Sequence, residues 1–145
     1  MGWRAAVSGL VMLAGCADLP RDPDGTLERV RRERRFTVGA VDPRADAIAG
    51  DAVVRRIAAA TGARVDVRRG QLEPMLLELE AGRLDLVVGG RFDEKTPWKT
   101  RVTLGPALRE IKAGDLAHRE HVVARNGENA WITLVQRAAK AEGAR

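Results

Sequence analysis

His118 and His121 stand three residues apart, a spacing that on a helix would turn both imidazoles to one face as metal ligands. No carboxylate accompanies them at the spacing of a zinc hydrolase, so ordinary surface or strand-end histidines are the better reading and no metal site is expected. Asp85 could do general acid–base work, but a carboxylate at the start of a strand more simply caps or pairs locally. Ser8 is the only serine and lies in the leading apolar segment, which leaves no Ser-His-Asp nucleophile in the rest of the chain. Neither a P-loop nor a GxGxxG is present. Nothing supports an enzyme, and no cofactor is implied. Trp98 is a flat surface on which a ligand could rest, though loop packing explains it equally well, and Trp131 reads as core.

The one reactive group left is Cys16, the single cysteine, which excludes an intrachain disulfide and a Cys-based zinc cluster. It closes a leader: Arg4 supplies a positive start, and Ala5 to Gly15 form an apolar stretch of secretory length. Leu13-Ala14-Gly15-Cys16 resembles the lipobox of bacterial lipoproteins. That resemblance implies lipidation of the Cys16 thiol, loss of residues 1–15, and attachment to a membrane through the N-terminal lipid. Ala17 after the cysteine implies outer-membrane sorting in a Gram-negative host. The expected organisation is a signal peptide over 1–15, the lipidated cysteine and a polar linker over 16–25, and one domain over 26–145.

The 145 residues suit a single domain with one modest core. Apolar residues make up 45% and charged residues 31%, which argues against general disorder. Three Trp, two Phe and no Tyr leave too few stacking platforms for single-stranded nucleic acid, and the expected export argues further against nucleic-acid binding. No apolar run approaches the ~18–20 residues that cross a bilayer. The net charge is +5, carried mostly by arginine. Arg29, Arg31, Arg32, Arg34 and Arg35 form a basic cluster whose functional reading is attraction to anionic headgroups or polymer; a solvated helix after the tether is the simpler one.

These residues need elements to place them. Thr26 is expected to cap a helix over 27–34. Arg35 to Val41 reads as a strand, residues 51–61 as a helix capped by Asp51 and stopped by Gly62, and Arg64 to Arg68 as a second strand. Residues 72–81 read as a helix with Met75, Leu76 and Leu79 buried, and Leu84 to Val88 as a third strand ended by Gly89-Gly90. A polar loop over 91–101, a short strand over 102–104, an unassigned stretch over 106–118, a strand over 121–124 and a helix over 129–141 complete the chain. The alternation predicts an α/β fold, three-layered, with a mainly parallel sheet and helices on both faces. Such sheets bind ligands beyond the carboxyl ends of their strands, which points to Asp42-Pro43 and to the segment from Gly89 to Thr96.

Three segments are similar to family 3 periplasmic solute-binding proteins: GTLERVRRERRFTVGAV from Gly25, LLELEAGRLDLVVGGRFDEKTPWKTRVTL from Leu76, and HVVARNGENAWITLV from His121. The resemblance implies one lobe of such a protein and a ligand held by its carboxylate. It places Gly89 and Gly90 as backbone donors, Thr96 as the hydroxyl, and Lys99 or Arg101 where an arginine fork is expected; Asp42 joins the candidate site from the strand-end argument. Lys99 offers a point charge without the fork. The family inserts its second lobe between Pro106 and Arg119, where this chain has too few residues for a domain. The implied role is an extracytoplasmic, lipid-anchored solute-binding protein for an ABC importer, taking a small solute such as an amino acid and docking on a permease. Weakened binding is expected without a second lobe. The alternatives are an envelope lipoprotein using the lobe as a protein-interaction scaffold, and a homodimer whose partner supplies the missing lobe.

Overall fold

The computed structural model describes residues 22–41, 48–114 and 116–143. Residues 1–16, where a leader ending in Cys16 is expected, and Asp42 lie outside the described residues. In order, the elements are α1 (Thr26–Glu33), β1 (Arg35–Val41), α2 (Ile48–Thr61), β2 (Arg64–Gly70), α3 (Leu72–Glu80), β3 (Leu86–Phe92), a 3-10 turn (Pro97–Thr100), β4 (Val102–Ala113), β5 (Leu116–Arg125) and α4 (Asn129–Gly143). The strands form one sheet in the order β2-β1-β3-β5-β4. β1 pairs in parallel with β2 and β3, while β5 runs antiparallel to β3 and β4.

Two apolar clusters sandwich the sheet. On one face Val30 of α1, Val53 and Ile57 of α2, and Trp131, Val135 and Ala139 of α4 pack on Phe36, Val38, Leu86 and Val122. On the other, Leu76 and Leu79 of α3 pack on Leu84, Val87, Phe92, Val102 and Val123. The period-2 alternation along β5 sends Val122 and Ala124 to the first face and Val123 to the second. The three-layered α/β sandwich is as expected, but the sheet is not mainly parallel: the β4–β5 hairpin makes half of its strand pairings antiparallel.

Four local expectations are corrected. Thr26 does not cap α1: Gly25 is the cap at φ 56, and Thr26 is the buried first helical residue, its N–H donating to Glu128 Oε2 at 2.8 Å. α2 begins three residues before Asp51, which sits in its first turn. Gly89-Gly90 does not end β3. Gly89 takes φ 78 in a bulge between the Val87 and Gly90 pairings, and β3 then continues to Phe92 against β5. A side chain at Gly89 would place Cβ 2.1 Å from the Val41 carbonyl oxygen, so only glycine allows this approach to β1. The unassigned stretch over 106–118 forms the outer arms of the β4–β5 hairpin, paired from Ala107↔His121 to Ala113↔Leu116. A hairpin thus fills the stretch between Pro106 and Arg119.

Candidate functional site

After Phe92 the chain leaves the carboxyl end of β3, crosses the α3 face of the sheet, and enters β4 at the opposite end. Thr96 steers the crossing. It is 8% exposed, and its Oγ1 accepts the Trp98 N–H at 3.4 Å, capping the 3-10 turn that Pro97 opens. Trp98 packs against the α3-side core, and the Arg101 guanidinium lies 4.4 Å from its ring centroid. Arg101 also forks onto Glu80 of α3, with Nε 2.9 Å from Oε1 and a second contact from Nη2 to Oε2.

Between this crossing segment and strands β3 to β5 lies a cleft of about 510 Å³. Phe92, Val102, Leu104 and His121 form its floor, and its charged rim carries Asp93 and Glu94 with Lys99 and Arg119. Its far end is closed by Thr103 and Asn126, joined by a hydrogen bond from the Thr103 hydroxyl to Asn126 Oδ1 at 2.6 Å. Asp93 Oδ1 accepts the Lys95 N–H at 2.7 Å, and Lys99 Nζ donates to the Glu94 carbonyl. His121 meets Phe92 edge-on, ring centroids 6.1 Å apart. Its Nδ1 lies 2.7 Å from the Gly105 carbonyl oxygen, which can only accept, so Nδ1 carries a proton. That bond fixes the ring in the floor. The cleft thus sets both signs of charge around an apolar floor, an arrangement suited to a small molecule carrying both an anionic and a cationic group.

Of the residues expected at the site, only Lys99 lines this cleft. Gly89 and Gly90 lie in β3, where Gly90 packs so close to Phe92 that a Cβ would come within 2.9 Å of its ring. Thr96 caps the turn, Arg101 is held by α3, and Asp42 is outside the described residues. His118 and His121 fall on opposite faces of β5 because three residues along a strand reverse the side. Among the described residues no three His, Cys, Asp or Glu side chains gather around a metal position. Asp85 is a local partner as expected: Oδ2 accepts the Thr37 N–H at 2.8 Å, and Oδ1 pairs with Arg29. Phe92, Arg119 and His121 also line the cleft: the sequence pattern ends the third strand before Phe92 and leaves Arg119 beside the unassigned stretch, whereas an alternating reading of 116–125 puts Arg119, His121 and Val123 on one face.

No protein-family profile matches the chain, and neither does any curated protein sequence. Solved structures do. The arginine-bound form of domain 1 of the T. maritima protein ArgBP superposes with a TM-score of 0.64 at 10% identity, covering 78% of this chain and 97% of that one. The fold is that of one lobe of a periplasmic binding protein. A substrate-binding protein of an amino acid ABC transporter gives 0.61 at 9% identity, covering 76% and 96%. An ancestral cationic amino acid solute-binding protein gives 0.63 at 11%, covering 80% and 93%. At these identities the likeness is one of fold.

Proposed function

We propose that this chain is an extracytoplasmic lobe, lipid-anchored through Cys16, that captures a small zwitterionic solute such as an amino acid for an ABC importer. The observation that carries the reading is the cleft beneath the crossing segment, where Lys99 and Arg119 face Asp93 and Glu94 over the Phe92 and His121 floor. A carboxylate would pair with the cations and an ammonium with the acids. The structurally similar ArgBP domain 1 is a lone domain with arginine bound, which supports solute binding without a second lobe. An open cleft leaves ion pairs wet, and an exposed pair contributes only ~0–1 kcal/mol, so binding should be weak.

Among the described residues every buried apolar side chain lies between Val30 and Ala139, so the chain from residue 17 onward is the protein to test. Thermal unfolding of that protein against a panel of amino acids and small carboxylates tests the reading. A native-state ligand at 100 times its dissociation constant adds ~2.7 kcal/mol. A selective rise that Lys99→Ala and Arg119→Ala both abolish is the expected result. A cooperative melt that no solute moves would favour the scaffold reading, to which the β4–β5 hairpin lends its own support by presenting exposed Lys112, Ala117 and Arg119. A mass that rises with concentration would bring in the homodimer.

A further inference from the structure

The corner where α1 turns into β1 concentrates positive charge. Arg31, Arg32, Arg34 and Arg35 are exposed there, and the parallel register of β1 and β2 adds exposed Arg64 directly beside Arg35. Arg34 ends α1 at φ 55, and its carbonyl accepts the Arg64 N–H at 2.9 Å, which locks the two strand starts together. Among the described residues Glu33 is the carboxylate in ion-pair reach of the corner's exposed arginines, 3.6 Å from Arg32 and 4.0 Å from Arg35. It also lies 3.8 Å from Arg29, which is already paired with Asp85. One carboxylate thus serves two exposed guanidiniums at this corner. By contrast Arg83, Arg101 and Arg125, at the same end of the sheet, contact Glu78, Glu80, and Asp24 with Glu128.

We propose that this corner docks on an anionic lipid surface and sets the orientation of the domain on its membrane. Guanidiniums fork onto phosphate oxygens, and the Arg32 and Arg35 side chains are 70% and 62% exposed, free to reach a headgroup layer. The chain preceding the described domain arrives at the same end. Asp22 Oδ1 accepts the Ala130 N–H at the start of α4, beside the carboxyl end of β5. Cys16 lies six residues before Asp22, a reach of at most about 20 Å. The eight-residue α1 spans only about 12 Å. The orientation rests on the lipid anchor proposed above: a lipid on Cys16 holds the arginine corner against the headgroups. The carboxyl end of β1, about 20 Å further along the strand, points the other way.

The chain from residue 17, without lipid, tests this by co-sedimentation with vesicles of phosphatidylcholine alone or mixed with phosphatidylglycerol. Binding is expected only to the mixed vesicles and should fall as salt rises. Arg31→Glu with Arg35→Glu should lower partitioning about tenfold or more, whereas Arg69→Glu with Arg137→Glu, the same charge change elsewhere, should shift it by less than about threefold. Circular dichroism melts check that each variant folds, and if the first pair does not, Arg64→Glu replaces it. Equal binding to both vesicle types, equal losses from the two pairs, or capture by soluble polyphosphate with no vesicle binding would each overturn the proposal. Solute titrations of the same protein are read separately, so loss of one reading leaves the other standing.

Discussion

Glu128 is 1% exposed and still an ionised carboxylate at neutral pH. Burial alone would raise its pKa, but the N–H groups of Thr26 and Asp24, the Thr26 hydroxyl and the Arg125 charge outweigh that and hold it below the ordinary 4.5. The unfolded chain therefore takes up this proton at higher pH than the folded one. The stabilisation is whole above about 4.5 and is lost as pH falls through the depressed folded value. Glu128→Gln should cost about 2 kcal/mol at neutral pH and flatten the acid side of a urea-midpoint profile. Gly89→Ala faces both a positive φ and the Val41 carbonyl, and should cost about 3 kcal/mol or more in the same assay. Arg101→Ala separates two roles. Its guanidinium is on Glu80 and Trp98, so the loss should be up to about 1 kcal/mol of stability with solute affinity unchanged, read by titration calorimetry.

The β4–β5 hairpin has its own polar strut. Glu120 is 1% exposed; Oε2 accepts from Arg109 Nε at 2.6 Å, and Oε1 has no hydrogen-bond partner. Arg109→Met strands a buried charge and should cost about 3 kcal/mol, whereas Arg109→Met with Glu120→Met should recover most of that loss in urea unfolding. These two residues also show where periodicity stopped short. β1 was readable from end to end because buried Phe36 and Val38 flank the half-buried Thr37 and Asp42-Pro43 follows. α4 was readable because Trp131, Val135 and Ala138 keep a helical stripe. The hairpin was hidden because its burial is uneven: Glu120 is inside while Ala107 and Ala117 are outside, and bulges interrupt β4 between Leu104 and Arg109. The candidate cleft was hidden with it. Lys99 could be singled out from the motif around Thr96, but Arg119 and His121 reach the cleft only through strand pairing that spans the bulge at Gly89.

At the scale of the whole molecule the two clusters share one sheet, so unfolding should be a single cooperative transition, with coincident fluorescence and circular dichroism melts as the check. The ends of the sheet differ in purpose. One gathers the arginine corner and the incoming chain; the other carries the bulged end of β3 and the hairpin. The stitching of residues 22–26 to the far part of the chain has a mechanical meaning. Asp22 holds the Ala130 N–H, Glu128 holds the Asp24 and Thr26 N–H groups, and Arg125 holds Asp24. A pull on the leading strand of a tethered protein would not tug at α1 first. The load would pass sideways into α4 and the end of β5, spread over several bonds that must fail together. In the anchored form proposed above, tension that would peel a free terminus is met instead by α4 and the end of β5.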